Sequence, residues 1–185
     1  MFNVIENFYE PSDLGLMVMN FLNLPFNATY QSKEVNYGGD RNKGYPCYES
    51  QILNEGDKNN IYCPYNMFKQ TFEKKTQKKI IKLQTFFRKT KIKELKKSPS
   101  WKQYKPHTDP SVYDIAGLIY YNSNCIKDGT YIFNTIDDFE PTVIIGSKYN
   151  RCVFYNSQQP HTPSMEQEVE ERWIQPFFIS YEKNV

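Results

Sequence analysis

The sequence predicts a mainly β fold with supporting N-terminal helices, and three observations predict it. Helical periodicity is confined to two segments, both before residue 80. The later chain holds short runs of β-branched and aromatic residues, separated by Pro, Gly, Asn and Asp. No internal repeat or low-complexity segment competes with this pattern. An α+β chain of this kind points to a jelly-roll or double-stranded β-helix core over residues 80–185, buttressed by helices and loops of residues 1–79. At 185 residues it fits one domain with a sizeable core.

The elements follow in order. Leu14, Met17, Val18, Phe21 and Leu22 recur at three- and four-residue steps, predicting an amphipathic helix between Ile5 and Pro25 capped by Ser12 or Asp13. Asn27 to Asn60 is polar and broken by Gly38-Gly39-Asp40 and Gly44-Tyr45-Pro46, which predicts loops with one short strand. Phe68 and Phe72, with Met67 and Thr71, give a second helix over Tyr65 to Lys75. From Ile80 to Thr90 the period changes to two, with Ile81, Leu83, Thr85 and Phe87 alternating against Lys82, Gln84, Phe86 and Arg88, so a strand is predicted. Lys91 to Ser100 reads as a basic connector. Further strands are predicted at Trp101–Lys105, Ala116–Tyr121, Thr130–Phe133, Thr142–Ile145, Cys152–Tyr155 and Trp173–Tyr181. Pro176 cannot donate to a ladder, which places the last strand at an edge or bulges it there.

Composition narrows the class. Fifteen Tyr and thirteen Phe against two Trp make the core aromatic and able to carry hydroxyls inside. Four cysteines lack C-x-x-C spacing, which argues for reduced, packed thiols over a zinc or redox motif. No run approaches the roughly eighteen apolar residues of a membrane span, and no signal peptide is evident, so the chain reads as cytoplasmic with no membrane partner. Its Asn, Lys, Ile, Tyr and Phe content is what an A+T-rich genome encodes, a virus or phage in a host cytoplasm being one such source. The net charge of +2 conceals fourteen basic and two acidic residues between Lys69 and Lys105. Such a stretch either recruits nucleic acid or an acidic partner, or is a solvated face balanced by acidic neighbours.

The two histidines carry the chemistry. His107 stands in His107-Thr108-Asp109, and His161 lies eleven residues before Arg172. In an extended segment His107 and Asp109 face the same way, so one strand end offers two ligands and a later strand must supply His161. Two imidazoles and a carboxylate leave three open positions on one face of a divalent iron. Arg172 opens a largely apolar run, and its planar fork suits a carboxylate.

These blocks resemble the iron and 2-oxoglutarate dependent oxygenases, in particular the prolyl 4-hydroxylase-like branch. The matching text is Lys105-Pro106-His107-Thr108-Asp109-Pro110, Gly117 to Asn122, Asp128 to Phe133, Arg151 to Tyr155, His161-Thr162-Pro163 and Arg172, in family order over roughly residues 80 to 181. Lys82 to Arg88 also looks like the strand before the metal-binding strand. The resemblance implies Fe(II) bound by His107, Asp109 and His161, with these three as the catalytic centre. It implies 2-oxoglutarate paired through its distal carboxylate with Arg172, dioxygen as oxidant and ascorbate as an auxiliary. Tyr120 falls where the branch often has a tyrosine on the same carboxylate, although Tyr121 is adjacent and a one-residue shift would exchange their faces. The implied activity is hydroxylation of an unactivated C–H bond on a peptide or protein side chain such as proline. A nucleotide or small-metabolite substrate is the alternative within the class. The chain departs from the family at Asp128-Gly129, where two glycines are usual.

Three other readings fit less of the sequence. A nucleic-acid-binding module would use the basic segment 69–105 with Phe86, Phe87, Trp101 and Tyr104 as stacking faces, but leaves both histidines without a task. A cupin-like hydrolase or isomerase leaves Arg172 without one. An inert jelly roll makes both histidines structural. Nothing in the sequence fixes the oligomeric state.

Overall fold

Pro11 opens the first helix because the missing N–H costs nothing at that position. Helix α1 runs Pro11–Asn23 after strand β1 (Phe2–Ile5), and Ser12 and Asp13 lie inside its first turn; Glu10 is the cap residue, without a side-chain cap bond. The expected Ser12 or Asp13 cap is thereby corrected. The chain continues through β2 (Phe26–Ala28), β3 (Tyr48–Ser50), α2 (Pro64–Thr76), β4 (Ile80–Thr85), β5 (Arg88–Lys91) and β6 (Ile115–Tyr120). It ends with β7 (Cys125–Ile132), β8 (Val143–Ser147), β9 (Cys152–Asn156), β10 (His161–Pro163) and β11 (Glu171–Tyr181). This computed structural model describes residues 2–28, 47–56, 63–93, 106–122, 124–164 and 170–183. The strand expected at Trp101–Lys105 and most of the loops expected within Asn27–Asn60 lie outside them.

Two antiparallel sheets form the core. The larger has the order β1-β9-β6-β11-β5-β3-β2, with β4 also on β11, and the smaller the order β10-β7-β8. The mainly β, double-stranded β-helix expectation is met. The N-terminal segment does more than support it, since β1, β2 and β3 extend the larger sheet.

The alternation of β6 shows how the layers are built. Ile115 and Ile119 join the core under the helices, with Met17, Phe21, Phe68, Phe72 and Phe177, whereas Ala116, Leu118 and Tyr120 join Ile132, Ile145, Val153 and Ile174 between the sheets. Side chains two apart share a face, so a strand buried on both sides feeds both cores. The Phe177 ring packs 4.8 Å from Phe68, tilted, and 5.6 Å from Phe72, edge-on, fixing β11 to α2. Gly117 is required here, because a Cβ would stand 2.4 Å from the Val153 carbonyl and 2.6 Å from the Phe177 ring.

Strand β11 is central, between β6 on one side and β4 and β5 on the other, which corrects the edge assignment drawn from Pro176. The irregularity lies in its neighbour: the single strand expected over Ile80 to Thr90 is broken at Phe86-Phe87 into β4 and β5. The Pro176 carbonyl faces that break, accepting bonds from Thr85 Oγ1 at 2.8 Å and Phe86 N at 3.4 Å. N and C=O of one strand residue point to the same side, so the absent N–H also faces the break and the ladder to β6 loses nothing.

Within the described part of the basic stretch, residues 69–93, many of the charges are met locally. Lys75, Lys79 and Arg88 reach Glu10, Glu182 and Glu49, and Lys78, Lys82 and Lys89 lie over aromatic rings. Phe86 and Phe87 are buried and offer no stacking face; Trp101 and Tyr104 lie outside the described residues. Among the described residues no helix is long and apolar enough to cross a membrane.

Candidate metal centre

His107 and His161 sit opposite one another in an isolated antiparallel bridge, with both backbone N–H···O bonds at 3.0 Å. Directly opposed residues project to the same side, and Asp109, two along from His107, projects with them. The Asp109 N–H is bonded to the Ser157 carbonyl at 2.9 Å, which fixes the segment beyond β9. His161 is carried by β10, paired to β7 opposite Ile132. One ligand atom from each of His107, Asp109 and His161 lies within 4.8 Å of the others. The two imidazole rings are 4.5 Å apart, and the Tyr155 ring also lies 4.5 Å from that of His161, both pairs tilted.

Protonation sharpens this geometry. Burial drives His161 down to about 4, partly opposed by its bond to the Gln159 carbonyl, so the ring is neutral near pH 7. A carbonyl only accepts, so Nδ1, 2.9 Å from Gln159 O, carries the proton and Nε2 presents a lone pair. That lone pair faces Asp109 Oδ2 at 3.4 Å. Two acceptors meet with no hydrogen between them. Burial also raises the Asp109 carboxyl to about 6, against the opposing charges of His107 and Arg88. A buried carboxylate facing the free nitrogen of an oriented imidazole is a donor set that fits a divalent metal.

The three residues line a cavity of about 80 Å³, together with Arg88, Thr130, Tyr155, Arg172, Ile174 and Phe178. Alternate residues of β11 supply one wall. Arg172 is 3% exposed and lies opposite Thr90 of β5. Its Nη2 donates to the Gly129 carbonyl at 3.1 Å and its Nε lies 3.4 Å from Asp128 Oδ1. Tyr120 lies beneath this guanidinium, 5.4 Å from ring centre to Cζ, with its hydroxyl 2.8 Å from Thr130 Oγ1. Burial raises the Tyr120 hydroxyl above its ordinary range, against Arg172 and Thr130, so it remains a donor. Tyr121 faces the helix-side core instead and donates to Gln175 Oε1 at 2.7 Å.

Two charged residues at the site were missed from sequence. Arg88 has its guanidinium on Glu49, and Asp128 provides the counter-charge to Arg172. The Asp128-Gly129 departure was the available signal for the second.

No family profile matches the chain, and no curated protein matches it in sequence. Solved structures do match in fold. A prolyl hydroxylase from Trichoplax adhaerens, in complex with a hypoxia inducible factor oxygen degradation domain peptide, aligns with a TM-score of 0.58 at 14% identity, over 96% of this chain and 82% of that one. A Pseudomonas putida prolyl-4-hydroxylase aligns at 0.58 and 12%, over 96% and 91%. HygX from Streptomyces hygroscopicus, with nickel, 2-oxoglutarate and hygromycin B bound, aligns at 0.58 and 7%, over 96% and 82%. At these identities the likeness is one of fold: the chain has the fold of the 2-oxoglutarate and Fe(II) oxygenases, prolyl hydroxylases among them.

Proposed function

We propose that this chain is an Fe(II)- and 2-oxoglutarate-dependent dioxygenase that hydroxylates an unactivated C–H bond on a peptide or protein side chain, proline being the first candidate. The observation that carries the reading is the convergence of His107, Asp109 and His161 in one cavity that also holds a buried arginine, Arg172. His107, Asp109 and His161 would hold the iron. Arg172, with Tyr120 beneath it, would hold the far carboxylate of 2-oxoglutarate. When bound, the metal and its 2-oxo acid supply the oxidation by dioxygen, with succinate and carbon dioxide as co-products.

The chain's own residues do the rest. The Gln159 carbonyl orients His161 so that Nε2 faces the cavity side shared with Asp109. Ile174 and Phe178 give the wall an apolar surface that excludes water from the reacting carbon. The peptide reading is supported by the prolyl hydroxylase neighbours; the HygX complex keeps a small-molecule substrate as the alternative.

Anaerobic titration of metal-free protein with Fe(II) and then 2-oxoglutarate tests the centre. The expected result is a visible metal-to-ligand charge-transfer band that His161→Ala abolishes. A folded protein that binds neither component would remove the assignment. Mass spectrometry of proline-containing peptides after aerobic turnover then tests the substrate.

A further inference from the structure

We propose that Asp128 is a positioning residue that orients Arg172 and weakens the pocket's preference for a 2-oxo acid with a charged far end. The inference rests on the reading of Arg172 given above. Strand β7 changes register against β8 between Cys125 and Gly129. At Gly129 a Cβ would stand 2.0 Å from the Ile145 carbonyl, so no side chain fits there. Position 128 is not so confined, and it turns a fully buried carboxylate onto Arg172, 3.4 Å from Nε. Ser147 Oγ lies 3.5 Å from the other carboxylate oxygen, and Gly129 O takes Nη2 of Arg172 at 3.1 Å. One short stretch of β7 therefore meets the guanidinium twice, through the hydrogen bond to Nη2 and through an ion pair at Nε whose two atoms make no hydrogen bond.

Orientation and charge act in opposite directions here. A guanidinium held by two contacts is ready for a carboxylate, which favours binding. A buried negative charge behind it repels the same carboxylate through a medium far less screening than water. An uncharged far end feels no such repulsion. Asp128 thus lowers the discrimination between 2-oxoglutarate and an acid of equal chain length that ends in a methyl group. Asp128→Asn keeps an oxygen acceptor of the same shape and removes the charge. Asp128→Gly removes both.

The test uses full-length protein loaded anaerobically with Fe(II). Dissociation constants for 2-oxoglutarate and for 2-oxopentanoate are read from the charge-transfer band. Asp128→Asn is expected to bind 2-oxoglutarate more tightly and to raise the ratio of the two constants at least about threefold over wild type. Asp128→Gly should raise the ratio as well, with a smaller gain in 2-oxoglutarate affinity because the guanidinium then keeps only its bond to the Gly129 carbonyl. A purely structural Asp128 would weaken both acids alike. Wild-type binding of both acids with an unchanged ratio in both variants overturns this inference alone. Absence of any band in wild type overturns the proposed function and this inference together.

Discussion

Asp109 and His161 confront each other through acceptor atoms, and only a cation or a proton placed between them relieves that contact. An amide at position 109 can do so without a metal. Asp109→Asn places an N–H where the carboxylate oxygen stood, able to donate to His161 Nε2. The metal-free variant should be more stable than wild type by about 1 kcal/mol, the net worth of a hydrogen bond, while Fe(II) binding is lost. Urea unfolding of both apo proteins, alongside iron titration, checks the two halves of this expectation. Arg172→Ala should behave differently. Iron affinity stays within about twofold, whereas 2-oxoglutarate affinity falls by at least roughly thirtyfold, as for loss of a buried charged contact. Charge-transfer titration separates the two, and equal losses for both ligands would return Arg172 to a structural role. The convergence of His107, Asp109 and His161 was legible because two-residue spacing and strand pairing are rules of the backbone. The contact from Asp128 was not, since it depends on where one side chain turns in an irregular stretch of β7. Tyr120 and Tyr121 are an intermediate case: alternation says that they face opposite ways, but only the packed layers say which is which.

Among the elements, β11 joins the site to the rest of the fold. Its alternate residues Arg172, Ile174, Pro176 and Phe178 face the cavity, while Gln175, Phe177 and Ile179 face away from it. Gln175 is fully buried there; its Oε1 accepts from Tyr9 at 3.0 Å and Tyr121 at 2.7 Å, and its Nε2 donates to Thr85 Oγ1 at 3.1 Å. This network ties the segment before α1, the end of β6 and β4 to the strand that carries Arg172. Gln175→Leu leaves two buried phenol hydroxyls without their acceptor. It should cost roughly 2–4 kcal/mol in chemical denaturation, more than the loss of a single hydrogen bond. The sequence shows Gln175 only as a polar residue in an apolar run, with no sign of its partners. Pro176 misled for a related reason. A proline predicts a missing ladder bond, but whether the strand is at an edge depends on a break in β4 and β5 some ninety residues earlier. Helices α1 and α2 were legible because their apolar spacing is local, α2 to within one residue at either end; the start of α1 at Pro11, ahead of Ser12 and Asp13, was not.

At the scale of the whole molecule, the centre is where separate parts of the chain meet. His161 belongs to the smaller sheet, Arg172 to the larger, and His107 and Asp109 to the segment crossing between them. A metal bound by His107, Asp109 and His161 would bridge β10 to that segment, a link with no counterpart in the unfolded chain, where His161 is far from the other two. Binding to the folded state alone stabilises it by about 2.7 kcal/mol at a hundredfold excess over the dissociation constant. For a chain of this length that corresponds to a rise in melting temperature of roughly 5–10 °C. Mn(II) or Ni(II) in place of Fe(II) allows the measurement in air, by thermal unfolding with and without 2-oxoglutarate. Wild type should gain one increment from the metal and a further one from the 2-oxo acid. Asp109→Asn should gain neither, and Arg172→Ala only the first. The same three proteins melted with 2-oxoglutarate but no metal should show little shift, because the keto acid end then has nothing to chelate. A full shift from 2-oxoglutarate alone would place the acid's binding on Arg172 and its neighbours, independent of the histidines, and would separate the two halves of the site that the fold brings together.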